Sequence, residues 1–230
     1  MMQQLVAQQV EKQLKLIEPL LADVVLVGGA TIGLWLDDPA VGPARPTNDI
    51  DLIVAVRNRP AYYQLGDQLR SFGLRETPES EVICRWTHST GALFDVMPLD
   101  ATILGFSNQW YEETFTEAQP VSLPGGTIAR LATPPFLLAT KFAAFHDRGM
   151  GDFLASHDMY DIIAMLDGRS SLLKEITDAP ASVRSWLADK CTQLAHSGLD
   201  DAILNYLPPD TESQKREESI ARIVHTIALQ

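Results

Sequence analysis

The sequence predicts an α+β fold: a mixed β-sheet core with flanking helices over residues 1–130, followed by an α-helical C-terminal region over residues 131–230. Three observations carry this. Val24 to Val27 is an apolar run rich in β-branched residues, and Ile50, Leu52, Ile53 and Val54 around Asp51 mark a second segment of strand length. Two hairpin patterns follow, one turning at Ser89-Thr90-Gly91 and one at Pro124-Gly125-Gly126. Past residue 130 the remaining segments read as helices.

Composition sets the class. The chain has 230 residues, enough for one large or two small domains, and 46% of them are hydrophobic. No apolar run reaches the roughly 18 residues of a membrane span. The opening MMQQLVAQQVEKQ lacks the order of a signal peptide, so a cytoplasmic protein with no membrane partner is the expectation. Cys84 and Cys191 lie in different predicted elements without metal-ligand spacing and are expected to be free, buried thiols. A net charge of −12 argues against broad nucleic-acid binding, though not against a small basic patch.

Taken in order, Val6, Val10, Leu14, Ile17 and Leu21 recur at helical spacing, and Pro19 ends or kinks the helix they predict. Strand Val24 to Val27 enters a Gly28-Gly29 turn and then a helix over Ala30 to Leu36. Glycine there lets backbone approach a phosphate, and amides opening a helix favour an anion. No third glycine makes a dinucleotide fingerprint, and no lysine makes a P-loop. A loop containing Pro39, Gly42, Pro43, Arg45 and Pro46 leads to Thr47-Asn48-Asp49-Ile50-Asp51-Leu52.

Successive strand side chains alternate faces, so Asp49 and Asp51 point to the same one. Aspartate is depleted in strands and two like charges on one face repel, which makes the pair costly without a cation. It therefore predicts a divalent-metal site. The plain alternative is a turn at Thr47 to Asp49 with Asp51 on a solvated edge. Arg45 can contact a phosphate or pair with the aspartates.

Pro60, the stripe Leu65, Leu69, Phe72 and the closing Gly73 predict the next helix. Strands over Glu81 to His88 and Ala92 to Leu99 form the first hairpin. Asp95, among Leu93, Phe94, Val96 and Met97, is the candidate third carboxylate; Asp100, beyond Pro98, is the competing choice and reads more simply as a loop residue. Trp86 and His88 read as packing residues. A helix over Ser107 to Ala118 and a hairpin of Pro120 to Leu123 with Thr127 to Arg130 complete the mixed core.

Thr133 and Pro134 open an almost wholly apolar helix, PPFLLATKFAAFHDRG, interrupted by Lys141, which needs a partner or a ligand unless it snorkels to solvent. After Gly149, DFLASHDMYDIIAML resumes as helix with Asp158 and Asp161 three apart. A helical hairpin sets Lys141 facing Asp158 near the site; the plain alternatives are a structural salt bridge or a pair of unrelated surface charges. Further helices cover Ser182 to Ala195 and the segment from Asp210 through Ile227.

Strand, Gly28-Gly29, short helix, loop and Asp49-Ile50-Asp51 together resemble the polymerase-beta type nucleotidyltransferase superfamily. Arg45 and Thr47 ahead of Asp49, with Lys141, Ala144, Asp147-Arg148 and Asp158-Met159-Tyr160-Asp161, are similar to the AbiEii group of bacterial abortive-infection toxins. The likeness covers Val24 to Leu166. The linker from Gly149 to His157 departs from the family in being longer and lacking lysine and arginine.

That resemblance implies a nucleotidyltransferase-type sheet core and transfer of a nucleoside monophosphate from an NTP to a hydroxyl of tRNA or protein. It implies two Mg²⁺ ions held by Asp49, Asp51 and Asp95, with Asp158 also needed for catalysis. Gly28, Gly29, Arg45, Thr47 and Lys141 would bind the nucleotide. A toxin of a toxin–antitoxin or phage-defence system, with a cognate antitoxin, is the corresponding role. The rival expectations are an aminoglycoside-type small-molecule nucleotidyltransferase and a catalytically silent interaction module.

Overall fold

The computed structural model describes residues 2–38, 41, 44–77, 82–148, 151–207 and 211–230. The chain divides into two compact units: Met1–Leu34 with Arg45–Thr133, and Trp35–Ala44 with Pro134–Gln230.

The first unit is built on a seven-stranded mixed sheet. Its strands are β1 (Val24–Val27), β2 (Asp49–Val54), β3 (Leu74–Glu76), β4 (Arg85–His88), β5 (Leu93–Pro98), β6 (Gln119–Ser122) and β7 (Ile128–Leu131), in the order β3-β4-β5-β2-β1-β7-β6. β1 runs antiparallel to β2 and parallel to β7, while β2 runs parallel to β5. All of β1 is buried, as expected of a β-branched run covered on both faces. Ile50, Leu52, Phe94, Val96 and Leu131 continue the core into its neighbours.

The helices of this unit are α1 (Met2–Leu14), a 3-10 turn over Lys15–Leu20, α2 (Gly28–Trp35), α3 (Arg59–Ser71), α4 (Ala101–Leu104) and α5 (Tyr111–Thr116). The N-terminal helix breaks at Ile17 (φ −124°, ψ 25°), two residues ahead of Pro19, whose ring cannot follow an α-helical turn. Glu11 on α1 is buried and accepts hydrogen bonds from the Gly125 and Thr127 amides (2.6 and 3.0 Å), which fixes the β6–β7 turn. The second hairpin is thereby tied down at its tip, and β7 joins the central sheet beside β1.

Several boundaries differ from expectation. α2 begins at Gly28 itself, so the glycine pair opens the helix instead of preceding it. The first hairpin's leading strand starts at Arg85; Glu81 lies outside the described residues. β3 and α4 have no clear sequence signal. The helix expected from Ser107 starts at Tyr111, because the Asn108 side chain accepts from the Trp110 amide and holds a turn there.

The second unit contains α6 (Pro134–Arg148), α7 (His157–Gly168), α8 (Leu172–Asp178), α9 (Ala181–Ser197), α10 (Leu199–Tyr206) and α11 (Thr211–Ala228). α7 starts five residues after the Asp152 at which helix was expected to resume. Asp152 instead accepts from the Leu154 and Ala155 amides, a side-chain turn that competes with helix, and Ser156 then caps α7 by accepting from Met159 N. Asp210, expected to open the last helix, lies outside the described residues. The excursion Trp35–Ala44 is held by the Asp37 and Asp38 amides donating to Gly168 O, and by Arg169, which donates to Asp37 at 2.7 Å and stacks on Trp35. Among the described residues no helix is long and apolar enough to cross a membrane.

Candidate active site

Asp49 and Asp51 stand on one face of β2, half-buried at the strand's opening, and from Leu52 onward the strand is covered. Register decides what they meet. Asp51 lies opposite Val27 of β1 on one side and opposite Asp95 of β5 on the other, and Asp95 lies opposite Arg85 of β4. One row across four strands therefore reads Val27, Asp51, Asp95, Arg85, with Asp49 two residues back on the same face.

Carboxylates directly opposite each other on neighbouring strands repel. Arg85 offsets this: Nε donates to Asp95 Oδ1 (2.8 Å), and Nη2 donates to Asp95 Oδ2 (2.7 Å) and to Asp49 Oδ2 (2.6 Å). The Asp95 side chain is only 8% exposed and that of Asp49 28%. The bond to Asp95 above all holds the Arg85 guanidinium even more firmly protonated than usual. The other Asp49 oxygen accepts from the Thr47 hydroxyl at 2.6 Å, so Thr47 orients Asp49.

Gly28 forms the remaining wall. It has φ +72°, and a Cβ built on it would lie 1.8 Å from Asp51 Oδ2. The Asp51 carboxylate thus occupies the volume that a side chain at residue 28 would take. Gly29 is buried in the same first turn of α2, and the Thr31 hydroxyl donates to Val27 O (2.7 Å), locking the strand-to-helix junction. Arg45 is half-buried in the loop ahead of β2. Asp100, the competing acid, caps α4 by accepting from the Thr102 amide and hydroxyl. Burial, reinforced by the Asp95 and Asp51 charges, pushes the Cys84 thiol up to about 12, which leaves it an inert neighbour.

In the second unit Lys141 is buried on α6 and pairs with two acids of α7, Asp158 Oδ1 at 3.1 Å and Asp161 Oδ2 at 2.6 Å. Arg148 grips Asp158 with Nε and Nη2 (2.8 and 2.9 Å). Burial alone would raise the Asp158 carboxyl, but Arg148 and Lys141 hold it below the ordinary aspartate value.

Arg85 is the site residue that sequence reasoning did not single out. Its signal was present: a hairpin turning about Thr90 pairs residues equidistant from that centre, which sets Arg85 against Asp95.

The donor chemistry fits a hard divalent cation, since carboxylate oxygens are its preferred ligands and Gly28 leaves room for Asp51 to join the pair. In the arrangement seen, the positive charge between Asp49 and Asp95 is that of Arg85, and among the described residues no three His, Cys, Asp or Glu side chains close around a single point. Compared with protein-family models and with curated proteins, the chain matches none.

Proposed function

We propose that this chain is a magnesium-dependent nucleotidyltransferase that moves a nucleoside monophosphate from an NTP to a hydroxyl of RNA or protein. The observation that carries the reading is the cross-strand row: Asp51 beside Asp95, Asp49 on the same face, and Gly28 cut away to admit the Asp51 carboxylate. A partly buried face of three acids is costly to fold for stability alone.

Asp49, Asp51 and Asp95 would hold Mg²⁺, which neutralises the triphosphate and makes the acceptor hydroxyl more acidic. Thr47 keeps one Asp49 oxygen directed. The amides of Gly28 and Gly29, at the N-terminus of α2, provide the positive end of a helix for phosphate oxygens. The acceptor oxygen forms a bond to the α-phosphorus and gives up its proton to solvent, the bond from that phosphorus to the bridging oxygen breaks, and pyrophosphate leaves. A toxin with a cognate antitoxin is the role that the AbiEii resemblance suggests.

One observation favours a second reading, a catalytically silent module: Arg85 already neutralises two of the three acids. The same experiment separates the two. The chain is incubated with each α-labelled NTP, Mg²⁺, and total RNA or total protein, in parallel with Asp51→Asn. Label on a macromolecule, lost in the variant and with a chelator, is the expected result. No transfer by the unaltered chain, or equal transfer by the variant, overturns the assignment.

A further inference from the structure

Arg85 does more than balance charge at one acid. It lies directly opposite Asp95 in register, takes both Asp95 oxygens in a fork, and reaches past β5 to Asp49 on β2. It thus spans the two strands whose acids would have to converge on a cation. A guanidinium stays charged at any relevant pH, so deprotonation cannot release the acids. What can release them is a competing cation. A divalent ion carries twice the charge and approaches carboxylate oxygen at about 2.0–2.1 Å, closer than the 2.6–2.8 Å that Arg85 keeps. The Arg85 side chain is 21% exposed, so it has a solvent-facing side toward which to withdraw.

We propose that Arg85 is an internal counterion that holds Asp49 and Asp95 in place and is exchanged for a divalent cation, so that cation binding at this site is a displacement. This rests on the reading of Asp49, Asp51 and Asp95 as cation ligands. The consequence is a site tuned toward weak affinity for the bare ion. Part of the binding energy is spent on expelling Arg85, which lowers apparent affinity by the fraction of time the site is competent. A nucleotide adds phosphate oxygens to the ion's ligand set, so cation and NTP bind better together than the cation alone.

The experiment measures Mn²⁺ binding from the loss of free-ion signal in electron paramagnetic resonance, without nucleotide, for the unaltered chain and Arg85→Gln. Removing the competitor tightens Mn²⁺ binding by about tenfold or more, the scale of one charge-assisted hydrogen bond, and adding Asp49→Asn to that variant removes the gain. A purely structural Arg85 predicts lower stability with no gain in affinity. Affinity that is unchanged, reduced or undetectable in both chains overturns the proposal.

Should Arg85→Gln not fold, the Arg85 Nε–H resonance of the unaltered chain, assigned through Arg85→Lys, gives the second readout. It shifts on Mg²⁺ titration if the guanidinium is displaced, and an immobile resonance overturns the exchange. Tighter Mn²⁺ binding with no nucleotidyl transfer leaves the exchange standing and sinks the enzyme reading. Transfer with unaltered Mn²⁺ affinity sinks the exchange alone.

Discussion

At Gly28 two requirements coincide: a left-handed backbone, and a missing Cβ whose place the Asp51 carboxylate fills. Gly28→Ala violates both. Backbone strain alone costs about 1–3 kcal/mol, and Asp51 must leave its position. Urea unfolding is expected to show that loss, together with an end to label transfer; an alanine variant as stable as the parent would mean that Asp51 relaxes freely. The sequence showed Asp49 and Asp51 sharing a face, because strand period needs no partner. It could not show why Gly28 is glycine. That depends on the β1–β2 register, which puts Val27 opposite Asp51. Thr47 was expected at the nucleotide and is seen orienting Asp49. A hydroxyl two residues from a carboxylate reads equally well either way until the turn is known.

Among elements, those with strong periodicity or clear punctuation were legible: β1, β2, the Thr90 hairpin, and the long helices α6, α9 and α11. β3 and α4 were missed because three or four residues carry no period, and both are set by neighbours instead. β3 is made by pairing with β4, and α4 by the Asp100 cap. The expected helical hairpin does bring Lys141 to Asp158, and to Asp161 as well. Breaking a buried pair by deleting one partner strands the other, at a cost of about 3–5 kcal/mol. Lys141→Met is therefore expected to lower the stability of the second unit by an amount in that range, read from denaturant midpoints. A triple variant that also replaces both acids with apolar residues should recover much of the loss. Near-neutral behaviour of the single variant would mean that the lysine reaches water.

For the whole molecule, acid sensitivity follows from the carboxylates held low. Asp158 has its folded value depressed by Arg148 and Lys141 against the opposing effect of burial, and Glu11 by the Thr127 amide above all. A depressed carboxyl binds fewer protons folded than unfolded. Its stabilisation is complete above the unfolded value, about 3.9 for Asp and 4.3 for Glu, and is lost as the pH falls through the folded one. Denaturation midpoints are accordingly expected to hold steady down to about pH 5 from these two groups and to fall below about pH 4. Asp158→Asn should blunt the acid loss, and a midpoint that rises on acidification would contradict the assignment.

The excursion Trp35–Ala44 sets an order on biosynthesis. A ribosome delivers Asp37 early, yet the Arg169 side chain and the Ser170 amide that bind it follow 132 and 133 residues later. Throughout that interval the nascent chain carries Asp37 without its Arg169 and Ser170 partners, while β1 and β2 on either side of it are already able to pair. The helical unit closes only after α7 has left the exit tunnel, and a message cut short before that point yields a sheet with an orphaned strap.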